Sequence, residues 1–177
     1  MVLSILGCET DMDDAQKVSL DTKAHNIEVI TDVQILYSEV GEVQAILTAP
    51  ELKRIKDEKP HTEFQKGLHV EFFNEDHKTG DLKANYGIRY ENSDETIVRN
   101  NVVVVNLEGE KLETEELTRN ENTRRIYTDK QVKITTKTAT LWGMGLDAKE
   151  DFSEYKILEP YGSKLLKEDI LAKPNKR

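Results

Sequence analysis

Few residues in this chain have types that do chemistry. Cys8 is the only cysteine among 177 residues, so no intrachain disulfide can form. A zinc centre would need further ligands at suitable spacing, and the histidine nearest to Cys8 is His25. The four histidines, His25, His61, His69 and His77, are scattered and read as solvent-exposed or turn residues. The carboxylates fall on alternate positions such as Glu71, Glu113 and Glu115, where a solvated face is expected. No glycine-rich phosphate loop and no serine elbow occurs. The sequence therefore predicts no catalytic centre, no metal site and no cofactor.

What remains is the setting of Cys8. Ile5-Leu6-Gly7-Cys8 resembles the lipobox of bacterial lipoproteins, in which cleavage before the cysteine precedes its acylation. On this reading residues 1–7 are the remnant of a truncated signal peptide, and residues 8–26 are a lipidated acidic tether carrying Glu9, Asp11, Asp13 and Asp14. The alternative is an unmodified cysteine in a frayed terminus. The acids lack the glycine turn and ligand spacing of a calcium loop. Lysine plus arginine number 25 against 34 aspartate plus glutamate, a net charge of −9, which argues against a nucleic-acid partner. No apolar run reaches the roughly 18 residues of a transmembrane helix.

The elements that must carry any function are strands. From Ile27 the chain alternates: Ile27, Val29, Thr31, Val33, Ile35 and Tyr37 share one parity, and Leu82, Ala84, Tyr86, Ile88 and Tyr90 share another. Polar turns separate such runs at Val40-Gly41-Glu42, Asn74 to Gly80, Glu91 to Asp94, Glu108-Gly109-Glu110 and Asn120-Glu121-Asn122. The expectation is an all-β chain of antiparallel strands in a sandwich, barrel or roll. The chain also repeats: the stretch from Ile97 overlays that from Ile126 without a gap, an offset of 126 − 97 = 29. Val103 then meets Val132, Val105 meets Ile134, and Leu117 meets Leu146. Each unit reads as a strand, a turn and a return strand stacked on its neighbour. Small residues recur two positions after each leading Val or Leu, at Ala45, Ala84, Thr114 and Gly143. They either let two sheets approach closely or leave a lengthwise cavity.

The segments "FQKGLHVEFFNEDHKTGDLKANYGIRY", "NNVVVVNLEGEKLETEEL", "RIYTDKQVKI" and "GMGLDAKEDFSEYKI", with Gly143 and Gly145 ahead of Leu146, resemble the LptC group of OstA-like proteins. The resemblance covers Phe64 to Gly162, and more loosely Ile27 to Pro50. It implies a twisted antiparallel β-jellyroll, open along one side as a V-shaped trough, over residues 27–162, followed by a lysine-rich tail over 163–177. It also implies transport of lipopolysaccharide from an inner-membrane ABC transporter toward the outer membrane. A lipidated Cys8 would stand in for the transmembrane anchor of better-known members, tying the protein to the periplasmic side of the inner membrane of a Gram-negative cell.

For such a cargo the expected lining is Val70, Phe72, Ala84, Tyr86, Ile88, Val103, Val105, Val132 and Ile134. An acyl chain of a dozen methylenes in water costs on the order of 10 kcal/mol, which an apolar trough would offset. Strand edges near Tyr155 and Ile157 are expected to pair with a periplasmic OstA-like bridge protein, and the edge near Ile27 to Ile35 to face the transporter. Three alternatives stay open. One is a soluble bridge component without an acyl anchor. Another is a structural or interaction β-sandwich lipoprotein with a filled core and no lipid cargo. The third, a carbohydrate-active jellyroll, needs facing carboxylates that the inward parity does not supply.

Overall fold

A computed structural model describes residues 26–166 apart from Asp76, Asp151 and Ser153. Every regular element is a strand: β1 (Ile27–Glu39), β2 (Glu42–Ile55), β3 (His61–Phe64), β4 (Leu68–Asn74), β5 (His77–Ala84), β6 (Tyr86–Tyr90), β7 (Glu95–Asn106), β8 (Lys111–Asn120), β9 (Arg125–Thr135), β10 (Ala139–Lys149) and β11 (Tyr155–Leu165). All pairings are antiparallel within one sheet, with β1 at one edge and β11 at the other. β11 runs on through Leu165, past the Gly162 boundary expected from the sequence, because Ala139 to Trp142 supply it with pairing partners. Cys8, His25 and the tail beyond Leu166 lie outside the described residues.

The sheet is folded along a crease. The first half of β2 pairs β4 and its second half pairs β3. In the same way β7 pairs β6 with its first half and β5 with its second. Thus β3 with β4, and β5 with β6, act as two long strands broken in the middle. Where the chain crosses this line the sequence supplies what a bend requires. Asp32 takes a positive φ of 54° opposite Pro50, at the point where β2 changes partner and no ladder bond is lost to the proline. Asn100 and Asn101 both adopt left-handed conformations that asparagine tolerates, and the register of β7 on β8 shifts there. Gly145, at φ 74°, sits in the matching shift between β9 and β10. The Asn85 N–H donates to the Asn100 carbonyl and ties the broken strand to the bulge.

The crease divides the molecule into two arms whose inner faces form one core. Along the first arm a row of residues crosses the strands in register: Leu47, Val70, Leu82, Val104, Leu112, Ile134 and Leu141. Leu52, Phe64, Val98, Leu117 and Leu146 face them from the second arm and belong to the same buried cluster. Leu146, Val102 and Val132 are the largest side chains in full burial.

Candidate functional site

The interior between the arms is the concave, apolar feature of the fold, and five of the nine expected lining residues lie in it. Val132, Ile134 and Ala84 are buried in the core cluster, and Val70 and Phe72 pack against it half-buried. The other four do not. Val103 pairs with Lys83 and Glu113, and Val105 with Asp81 and Lys111, so both stand on the outer, charged face, while Val102 and Val104 point inward. Tyr86 and Ile88 share the face of Glu63, since Ile88 pairs with Glu63 and Ile97 and the inward place in β6 belongs to Gly87; Ile88 is nonetheless buried there, at 5% exposed, apart from the main core cluster. The physical reason is the crease. The break at Asn85 shifts the phase between β5 and β6, so Ala84 and Gly87 point inward in place of Ala84 and Tyr86.

The repeat needs the same correction. An offset of 29 lays Val103 on Val132, but the residues that are buried alike are Val102 with Val132 and Val104 with Ile134, an offset of 132 − 102 = 30. The return strands β8 and β10 keep 29, as Thr114 with Gly143 and Leu117 with Leu146 are all buried. The bulges therefore differ between repeats, and a gapless overlay misplaces one strand of each pair.

Of the two readings open for the row of small residues, close approach is what the geometry shows at Gly143. A Cβ there would lie 2.1 Å from Ile157 Cγ2 and 2.8 Å from the Glu159 carbonyl oxygen. A Cβ at Gly87 would lie 2.9 Å from Leu68 Cδ2. The space beside these positions is already filled.

The interior is not sealed everywhere. A small recess, with free space of about 30 Å³, opens between the arms, lined by Val104, Leu112, Ile134, Leu146, Phe152 and Tyr155. A second, of about 20 Å³, lies on the other side of Phe152, against Phe72 and Gly80. Phe152 thus reaches from the β10–β11 loop at the tip of the second arm to the tip of the first, and its ring packs against the core. Beside it Glu150 accepts from Arg119 Nε at 2.7 Å. A second tie across the arms joins Arg124, in the β8–β9 turn, to both oxygens of Glu39 at the end of β1 (2.6 and 2.8 Å).

The outer face has a different chemistry. Glu113 lies between Lys111 (2.9 Å) and Lys133 (2.8 Å), and hydrogen bonding to Lys133 and then Lys111 holds its carboxyl below the usual range. Burial, together with donation of its hydroxyl to Glu63 at 2.9 Å, pushes the Tyr86 phenol up to about 12. His61 packs against Tyr90 with the rings tilted at 47° and their centroids 5.5 Å apart. His69, read from the sequence as isolated, is brought against Asp81 and near Glu71. Spacing within β4 hinted at the His69–Glu71 pair; only the β4–β5 register brings in Asp81.

At the sheet edges, the Tyr155 side chain is 38% exposed, whereas Ile157 turns inward over Gly143 and packs on the core. The outer edge of β11 is without a neighbour among the described residues. Pro160 is tolerated within β11 because β11 has a neighbour on one side only among the described residues. No helix among the described residues is long and apolar enough to cross a membrane.

The family model described as lipopolysaccharide-assembly, LptC-related, matches residues 1–160. A comparison with curated proteins finds no match.

Proposed function

The chain belongs to the LptC-related family of lipopolysaccharide-assembly proteins, and on that premise we propose that it holds the acyl chains of lipopolysaccharide between its two arms and passes them on along the crease. Membership itself carries involvement in lipopolysaccharide transport, as a periplasmic component associated with the inner membrane. The observation that supports the finer reading is the unbroken apolar row from Leu47 to Leu141, which crosses the first arm and faces the second. Apolar contact is non-directional, so cargo can slide along such a row with no single contact holding it.

The arms meet over a filled core, so cargo enters by parting them at the rim. The recess under Phe152 marks the weakest place, because its walls already lack partner atoms. Val70, Phe72, Ala84, Val132 and Ile134 then become the acyl-contacting set, joined by Val104, Leu112 and Leu146. The ABC transporter delivers at the β1 edge, and the bridge protein receives at the β11 edge by adding a strand to its free backbone groups. Cys8, on the strength of Ile5-Leu6-Gly7-Cys8, is the proposed acyl anchor. Mass spectrometry of the membrane-extracted protein would reveal its lipids.

The test is photocrosslinking in living cells. A photoreactive residue is placed singly at Leu141 and Phe152, which are half-buried and inward, and at Lys83, Val103 and Lys133 on the outer face. Lipopolysaccharide adducts from the inward pair alone would support the reading. Absence of adducts from either inward site, with the protein folded and membrane-attached, would favour the filled sandwich without cargo. The close cover of Gly143 by Ile157 is the observation in favour of that second reading.

A further inference from the structure

On the outer face of the first arm, β4 and β5 bring together three side chains that the transport reading does not use. Glu71 and Asp81 are directly opposite in the β4–β5 ladder, and His69 lies two positions before Glu71 on the same face. One ligand atom from each of the three lies within 4.8 Å of the others. His69 Nε2 is 2.7 Å from Asp81 Oδ1. Around a tetrahedral ion with ligand bonds of about 2.1 Å the donor atoms stand about 3.4 Å apart, so small side-chain rotations suffice.

The protein already places a cation at this point. The Lys78 ammonium lies 2.6 Å from Glu71 Oε1 and 2.8 Å from Asp81 Oδ1. The field at this point therefore favours positive charge. Lys78 follows the register shift at Phe72/Phe73, and its long side chain can swing into solvent without moving either strand.

We propose that His69, Glu71 and Asp81 form a binding site for a divalent transition-metal cation of the zinc class, which competes with the Lys78 ammonium for the same place. An imidazole and two carboxylates are all ligand types that zinc accepts, and three such ligands leave a fourth position to water. Calcium and magnesium are disfavoured, since they take oxygen ligands and more of them. The three side chains are about one-third exposed, which gives the ion an entry path. Bound metal would cross-link β4 to β5 on the face opposite Val70, Phe72 and Leu82. The site is independent of acyl binding, and either proposal can fail alone.

The experiment titrates the full chain, in a Cys8→Ser background, with zinc chloride by calorimetry and with cobalt(II) by absorption. Zinc is expected to bind with one-to-one stoichiometry. Lys78→Ala removes the competing ammonium and is expected to tighten zinc binding by about fivefold, the size of an exposed ion-pair effect. Asp81→Asn and His69→Ala are each expected to weaken it by about tenfold or more. Circular dichroism confirms that each variant is folded. Zinc binding that is no tighter in Lys78→Ala, or unchanged in Asp81→Asn, would overturn the assignment. So would loss of all zinc and cobalt binding with Cys8→Ser from a parent protein whose cobalt spectrum shows a thiolate charge-transfer band.

Discussion

The two faces of this one sheet are held by different forces, although the same strands supply both. Inside, rows of aliphatic side chains meet across the crease, and Leu146, Val102 and Val132 are almost wholly removed from water. Outside, the cross-strand neighbours are ion pairs such as Glu113–Lys133, Arg99–Glu116 and Arg125–Asp147, most of them roughly one-third exposed. Burying an aliphatic side chain stabilises by about 1.5–3 kcal/mol, whereas an exposed ion pair contributes about 0–1 kcal/mol. Stability therefore resides on the inner face. The outer face, the buried Ile88 apart, supplies solubility, and its side chains are free to take on further roles.

The sharpest way to break that comparison uses neighbours in one strand. Val104→Asp puts an unpaired carboxylate into the core at a residue 4% exposed, and is expected to abolish cooperative folding. Val103→Asp places the same group on the outer face, between Lys83 and Glu113, and is expected to cost about 1 kcal/mol or less in urea unfolding. Equal effects from the two would mean that β7 is not divided between the faces as described.

Next in size is Gly143→Ala. Its new Cβ overlaps Ile157 Cγ2 and crowds the Glu159 carbonyl, so a loss of about 1–3 kcal/mol is expected. Ile157→Ala in the same chain removes the first overlap and should recover part of the loss relative to the sum of the two single changes. Simple additivity in a double-mutant cycle would show that β11 lies farther from β10 than the packing indicates.

These two predictions also mark what the sequence could and could not convey. The all-β class was legible, because alternation such as Leu82, Ala84 and the polar residues between them is set locally by the pleat. The phase of that alternation was not legible across the crease. From Leu47 and Ala49 the inward side steps to Leu52, and from Leu112 and Thr114 to Leu117, an odd step in each case. In β7 the step from Val98 to Val102 is even, since Asn100 and Asn101 share the bend. A period of two carried straight through therefore sends Tyr86 and Ile88 to the wrong face, and a gapless repeat does the same to Val103 and Val105. The Asn-Asn pair, Pro50 and Gly145 were the available signals, each a residue that tolerates or imposes an interruption of the ladder. The His69–Glu71–Asp81 cluster depended on register between strands, which no single strand encodes.

A smaller effect reports on the outer face at high pH. Tyr86 has a phenol raised to about 12 by burial and by its bond to Glu63, against about 10 in the unfolded chain. A raised folded pKa means a contribution fully present below pH 10 and lost as pH rises from 10 toward 12. Glu63→Gln removes the acceptor's charge, which should bring the phenolate titration, followed by ultraviolet absorbance, to a lower pH and leave stability at pH 7 nearly unchanged. A titration curve identical to the parent's would mean that Tyr86 is not hydrogen-bonded to Glu63 in solution.

The smallest expected change in global stability belongs to the tie across the rim, and it bears most directly on how the arms part. Arg124 and Glu39 are 65% and 58% exposed, so their contact, in which one guanidinium nitrogen reaches both carboxylate oxygens, stays below about 1 kcal/mol. Arg124→Ala should leave the urea midpoint nearly where it was. The pair nevertheless joins the β8–β9 turn to the β1–β2 hairpin tip, where few apolar contacts hold the chain: Val40 is 99% exposed and Leu36 58%. Local opening there should become easier, and amide hydrogen exchange from Ser38 to Glu42 should quicken while exchange in β8 and β9 does not. If exchange at the tip is unchanged, the ion pair does not restrain the rim and Phe152 is left as the tie between the arms there. If instead the whole protein loses several kcal/mol, an outer contact carries inner-face weight, and the division of labour between the two faces fails at the place where the arms must separate.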